Sequence, residues 1–367
     1  MRLPFFIAGR TVSRGLRQAA LELCTPPNSA AIVLCMDPVS HAVLGASLAQ
    51  SRRADKFGTA TLLGGLSAVA PDLDALIQSP NDPLLLLEYH RQFTHSLAFV
   101  PFGALLCALL FSSFARRHLS FPATYAFCVL GFASHSLLDA CTTYGTELLW
   151  PFSDARVAWS IVSAIDPAFT LPVLTLVVLA ARRRAPRYAY FGAAWAIVYL
   201  AFGALQQARA EAAGAAVAGS RGHVPVRLEA KPALGSVMLW KVIYEYDGRY
   251  YVDAARVGFA ATVAAGESIA KLDVTRHFPW LDPESQQSVD VERFRRVSDG
   301  FLAIDTAAPN RIVDLRYSMI PNEIAGFWVI ILDPDARRDD HVELVTTMEG
   351  VAARAARLLD SLFGKEG

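Results

Sequence analysis

The sequence predicts an all-α polytopic membrane bundle followed by a soluble α+β domain, and three observations predict it. Hydrophobic residues make up 53% of the chain and charged residues 19%, below the roughly 25% charged content usual in soluble domains. Mean hydropathy is +0.32. The formal net charge of zero hides an asymmetry: charge is sparse from Phe57 to about Gln206 and dense from Arg221 onward. Without a uniformly basic surface, nucleic acid is not an expected partner. The five cysteines show no CxxC pairing and none lies beyond Cys141, which argues against a disulfide framework or a thiolate zinc finger.

A spanning helix needs about 20 mostly apolar residues. Expected spans are 57–77, 96–115, 121–138, 167–181 and 188–205, preceded by a short apolar helix at 40–50. So many long apolar stretches in succession favour a membrane over a large soluble bundle. Arg52, Arg53 and Lys56, then Arg116 and Arg117, then Arg182, Arg183, Arg184 and Arg187 close alternate spans, and cationic loops stay cytoplasmic. The loops 78–95 and 139–166, and everything after the last span, then face outward. The expected organisation is a basic extension at 1–35, a membrane-embedded helical domain at 36–207, a small-residue linker at 208–222 and an extracytoplasmic α+β domain at 223–367. The extension, with Arg2, Arg10, Arg14 and Arg17 against Glu22, conflicts with that topology. It reads either as a targeting-like or disordered segment or as sequence upstream of a natural start at Met36.

Polar residues interrupt the apolar pattern in a set: His41, then Asp72 and Asp74 in Pro-Asp-Leu-Asp, then His90 and His95 flanking Arg91, then His135 and Asp139. Ionisable groups in apolar surroundings are costly and mark function. The predicted topology puts all of them at one membrane face. Imidazoles and carboxylates are the ligands that zinc and related divalent ions use. His135 and Asp139 are four apart, on one helix face, and the Asp72/Asp74 pair can bridge ions or orient a histidine. Such a cluster activates water at neutral pH, and Arg91 is suited to clamp an anionic group. Each residue also has a plain reading: a helix-start residue for His41, a packing histidine for His135, helix-end residues for Asp72 and Asp74. His90 and His95 read equally as loop residues, Arg91 as a solvated cation and Asp139 as an interfacial residue. Asp166 before Pro167 reads as a helix cap. His118, His223, His277 and His341 fit no cluster.

The order His41, Pro71-Asp72-Leu73-Asp74, His90-Arg91-x-x-Thr94-His95-Ser96, Ser134-His135-x-x-x-Asp139, Tyr144-Gly145 and Pro151-Phe152 resembles the bacterial membrane-bound metal-dependent hydrolases, the YdjM-like family. The likeness covers about residues 36–180 and, more loosely, the tail around Trp240-Lys241-Val242. It implies an inner-membrane metal-dependent hydrolase with ligands drawn from His41, Asp72, Asp74, His90, His95, His135 and Asp139, and with Arg91 and Asp72 in catalysis. It also implies distant similarity to zinc-dependent phospholipase C and P1 nuclease, hence phosphoester hydrolysis of a lipid or lipid-linked substrate with zinc as the first-choice metal. One departure is Gln92, where such proteins often carry glycine. Two other functions compete: a divalent-metal transporter, which needs polar residues continuing to the cytoplasmic side, and a scaffold or binding protein with a structural metal.

Beyond the linker the pattern changes to period two. Segments 236–246 and 250–257 flank Asp247-Gly248-Arg249, a hairpin signal. Further strands are expected at 300–305, 311–318 and 326–332, with an amphipathic helix at 341–363. No nucleophile constellation lies here, so a substrate-binding or lid role is expected for this domain.

Overall fold

In the computed structural model the described residues are 37–52, 56–305, 308–324 and 326–346; the basic extension therefore lies outside them. The described residues all fall within one compact unit. The helical part comprises α1 (Pro38–Arg52), α2 (Phe57–Ser67), a 3-10 segment (Ala70–Leu76), α3 (Leu85–Tyr89), a 3-10 turn (Phe93–His95), α4 (Val100–Ala115), α5 (Phe121–Ala140), α6 (Pro167–Arg183) and α7 (Pro186–Ser220).

Two of these helices, α5 and α7, are long and apolar enough to cross a membrane, and α3 through α4 would add a third if that pair, bent by 84°, is one span. The five expected spans are thus reduced, and the part is not a clean polytopic bundle. Proline explains both broken spans. Pro71 has no N–H to bond the Ser67 carbonyl and its ring crowds it, so the helix predicted over 57–77 ends at Ser67 and resumes as the 3-10 segment. Pro101 suits only a first turn, so the helix predicted from Ser96 begins at Val100. Proline likewise sits at the start of α5, α6 and α7.

Glycines bring α1, α2 and α5 together. A Cβ on Gly64 would collide with the Gly45 carbonyl, and one on Gly131 with the Gly64 carbonyl. Backbone contact at this range lets residues from three helices and the intervening turns reach one point.

α7 corrects the predicted linker. Residues 208–220 are not a hinge but the continuation of the last helix, because alanine is the strongest helix former and dominates this stretch. At 1.5 Å per residue its 35 residues run roughly 52 Å, well beyond the ~30 Å of a bilayer's apolar core. Its later turns pack on a sheet, with Gly214 so close to Val242 that a Cβ would lie 2.5 Å from its Cγ1.

That sheet contains β1 (Arg227–Pro232), β2 (Leu239–Tyr246), β3 (Arg249–Val257) and β4 (Ala261–Ala264) in order, with β5 (Ser268–Ala270) also paired to β3. Every pairing is antiparallel. The predicted hairpin is present: Asp247 (φ 49°) and Gly248 (φ 66°) occupy the two left-handed turn positions that a two-residue hairpin requires. After two helices, α8 (Val274–His277) and α9 (Gln286–Val297), a second antiparallel sheet runs β6 (Leu302–Ile304), β7 (Arg311–Asp314), β8 (Trp328–Ile331) and β9 (Glu343–Thr346). Ile243, Tyr250, Val252, Phe301, Val313 and Val329 form a core shared by the two sheets. The expected terminal helix at 341–363 is corrected at its start, where Glu343–Thr346 pairs with β8; residues 347–363 lie outside the described residues.

Candidate metal centre

The candidate residues arrive from separate elements. His41 comes from the first turn of α1, Asp72 and Asp74 from the 3-10 segment, His90 and Arg91 from the end of α3, His95 from the 3-10 turn, and His135 and Asp139 from α5. One ligand atom each from Asp72, His95, His135 and Asp139 lies within 4.8 Å of the others. His95 Nε2 and His135 Nε2 are 2.8 Å apart. Asp139 Oδ2 lies 3.2 Å from His95 Nε2 and 3.3 Å from His135 Nε2. Asp72 Oδ1 stands 3.6 and 3.5 Å from the same two nitrogens.

Hydrogen bonding fixes what those nitrogens offer. His135 Nδ1 is 2.6 Å from the Ala68 carbonyl, which only accepts, so Nδ1 carries the proton and the neutral ring presents a lone pair at Nε2. The open turn after α2 frees that carbonyl. His95 Nδ1 faces Asp74 Oδ2 at 3.1 Å and Thr94 Oγ1 at 2.9 Å. The Thr94 hydroxyl donates to the same carboxylate oxygen at 2.6 Å, so His95 Nδ1 donates and its Nε2 is also bare in the neutral ring. With both rings neutral, two imidazole lone pairs and two carboxylates converge on one point.

Around this group lies a supporting layer. Asp74 Oδ1 accepts from His90 Nδ1 at 2.7 Å, and its Oδ2 accepts from the Arg91 backbone N–H at 3.1 Å. Arg91 adopts φ 64°, which turns its side chain back toward α5 while its N–H stays on Asp74. The guanidinium that the sequence assigns to an anionic substrate group is only 1% exposed. Its Nε lies 3.1 Å from Asp139 Oδ2 and its Nη1 donates to Thr142 Oγ1 at 2.8 Å, so it balances the charge of Asp139 rather than standing free as a clamp. His41 stacks on His135 with ring centroids 3.8 Å apart and brings Nε2 to 3.2 Å from Asp139 Oδ1.

The donor set fits a divalent cation. Both nitrogens of His41, both oxygens of Asp72 and of Asp139, and His90 Nε2 are buried without a hydrogen-bond partner. Leaving one such group unsatisfied costs about 1–3 kcal/mol. That many at one place is the pattern of a site completed by metal, with second ring nitrogens held by carboxylate and carbonyl as metal-bound histidines are.

Three further groups contribute to the site. Thr142 receives Arg91, the Ala68 carbonyl sets the His135 tautomer, and Tyr144 packs between the Arg91 and Arg156 guanidiniums, each 5.2 Å from its ring centroid. Tyr144 and Thr94 stood in the family pattern; a backbone carbonyl leaves no signal in residue types. Asp166 caps α6 as expected, accepting from the backbone N–H of Ala168 and Phe169, and also takes the Tyr199 hydroxyl. A cavity of 540 Å³ between residues 143–158 and the sheets touches Tyr144 but is lined by none of the seven candidate ligands.

Comparison with known proteins agrees with the helical part. Residues 36–210 match the model of a family described as YdjM inner membrane protein. Inner membrane protein YbcI of Escherichia coli is 35% identical over 103 residues, 27% of this chain and 58% of its own length. Uncharacterized protein YfhP of Bacillus subtilis is 28% identical over 144 residues, 36% of this chain and 42% of its own. The chain thus spans less than two thirds of either relative. No solved structure matches, and the expected likeness to phospholipase C and P1 nuclease finds no support.

Proposed function

We propose that the protein is an inner-membrane metal-dependent hydrolase, with Asp72, His95, His135 and Asp139 holding the metal, zinc first, and a phosphoester in a lipid or lipid-linked molecule as substrate. The observation that carries the metal is the convergence of two imidazole nitrogens and two carboxylates, one ligand atom of each within 4.8 Å of the others. Bound divalent ions supply Lewis-acid polarisation of water and of a phosphoryl oxygen.

The chain's own groups do the rest. Asp74 fixes the tautomers of His90 and His95. Arg91 balances the charge of Asp139 and aims its carboxylate. Asp72, its side chain 10% exposed while those of the other three ligands are fully buried, is the carboxylate nearest the surface, and once an entering molecule reaches its buried oxygens it is the one to exchange a proton with it. The inner-membrane location is supported by the description of the matching family and by α5 and α7.

A structural metal is the second reading, because four ligands suffice for a closed tetrahedral shell. Purified full-length protein is assayed for zinc by elemental analysis beside His95→Ala and His135→Ala, and for chelator-sensitive release of phosphorylated headgroups from vesicles. Zinc in the native protein alone, with release, is expected. Equal, near-zero zinc in all three would sink the metal reading; zinc without release would leave the structural one.

A further inference from the structure

The metal centre is buried, both Asp72 oxygens included, so a substrate needs a way in, and Asp72, the one of the four ligands whose side chain keeps some exposure, marks where the cover is thinnest. Asp72 belongs to the 3-10 segment, where Leu73 is 65% and Leu76 is 74% exposed. The segment therefore turns Asp72 and Asp74 inward and two leucines outward within one turn and a half. It packs against α4 and the Phe93–His95 turn that precedes it. There Leu97 donates its N–H to the Leu148 carbonyl at 2.9 Å, which brings up the 148–152 turn carrying exposed Leu149 and Phe152, the latter at 87%. From this rim the apolar surface continues along α4 through exposed Phe102, Leu105, Leu106, Leu109 and Leu110, a stripe at helical spacing. No Lys, Arg, Asp or Glu occurs between Phe93 and Ala115.

We infer that the rim formed by Leu73, Leu76, Leu149 and Phe152 is immersed in the bilayer, and that the side of the metal centre covered by Asp72 faces lipid. Leucines so exposed are costly in water, at about 1.5–3 kcal/mol each between full exposure and burial, whereas hydrocarbon takes them freely. Continuity with the α4 stripe, in a chain with two further helices fit to cross a membrane, selects lipid as the occupant. This inference rests on the proposed hydrolase and gives the route to its site: an amphiphile reaches it without leaving the bilayer, its chains along the α4 stripe and its reactive bond at the depth of Asp72. A water-soluble phosphoester would meet an apolar rim.

The test reads depth rather than turnover, so it stands apart from the fate of the hydrolase reading. Leu76→Cys and Phe152→Cys are spin-labelled in full-length protein lacking Cys24 and Cys35, with Val224→Cys as an exposed control in the sheet part. The background chain corrects for the buried Cys107, Cys128 and Cys141. In phosphatidylcholine nanodiscs, oxygen is expected to relax the Leu76 and Phe152 labels more than water-soluble chromium oxalate does, with the reverse order at Val224. Chromium oxalate dominating at both rim positions overturns the inference. So does shielding from both reagents with dipolar broadening, which would mean that a second copy of the chain covers the rim.

Discussion

Asp74 does not belong to the four converging ligands, yet its carboxylate takes four donors: His90 Nδ1 on Oδ1, and the Arg91 N–H, the Thr94 hydroxyl and His95 Nδ1 on Oδ2. Asp74→Asn keeps the shape and replaces one oxygen with an NH2 group. The amide oxygen will take the side with three donors, leaving the NH2 to face His90 Nδ1. Two donors cannot bond, so His90 must move its proton to Nε2, where it occupies the lone pair that now has no partner. His95 loses the ionic character of its Nδ1 contact at the same time. Removing such a supporting partner typically weakens metal binding about 10–100-fold, or roughly 1.4–2.7 kcal/mol. Competition against a chromophoric zinc chelator in detergent measures the affinity, with circular dichroism confirming that the helices persist. An Asp74→Asn affinity equal to the native one, while His135→Ala abolishes binding, would refute the tautomer argument and leave Asp74 a packing residue.

Two further outcomes concern the sheet part. Arg293 on α9 reaches across to the segment before His90, bonding Asp82 at 2.9 and 3.0 Å and Glu88 at 2.7 and 2.9 Å. Arg293→Ala is expected to cost about 2 kcal/mol, the low end for a hydrogen-bonded charge cluster because its partners are partly exposed, and to speed proteolysis between 78 and 92; an unchanged cleavage rate counts against it. Lys241 is buried on β2, donating to Ser318 Oγ at 2.8 Å and the Glu323 carbonyl at 2.7 Å, and burial brings its ammonium down to about 7, against the pull of Asp314. Between pH 7 and the unfolded value near 10.4, the unfolded chain binds the extra proton. Stability therefore rises with pH across that window, by up to about 4 kcal/mol, and Lys241→Met should flatten the rise in thermal unfolding. An equal slope in both proteins removes the assignment.

Much of the site was legible because its chemistry is carried by residue types in unusual surroundings. All seven histidines and aspartates singled out in the sequence meet around one centre, and their division into four close ligands and a supporting group appears only in three dimensions. Nothing in Asp74 as a letter distinguishes it from Asp72. The difference is that one faces two imidazole Nδ1 atoms and the other faces two Nε2 atoms. The fold was less legible where hydropathy and hydrogen bonding disagree. Residues 57–77 are apolar enough to read as one span, but a single missing N–H at Pro71 divides them. Residues 208–222 read as a linker because small residues suit both a flexible chain and close helix packing, and the contact at Gly214 decides for packing. Strands β4, β5 and β9 are three or four residues long, too short for a period of two to register.

The breaks in the helices and the candidate metal centre are linked. Backbone that leaves a helix while buried must find other partners for its N–H and C=O groups. Here the released groups find partners within the protein. The carbonyl released at Ala68 binds His135, the N–H released at Arg91 binds Asp74, and the carbonyls of Leu87, Glu88 and His90 are gathered by Arg156 Nη2. Restoring continuous helices would satisfy the same backbone groups internally, but it would carry Asp72 and His95 away from α5. The sheet part contributes to the same end. Through Arg293, α9 holds the 82–88 segment, so the irregular stretch bearing His90 and Arg91 is gripped from outside the helices as well as from within.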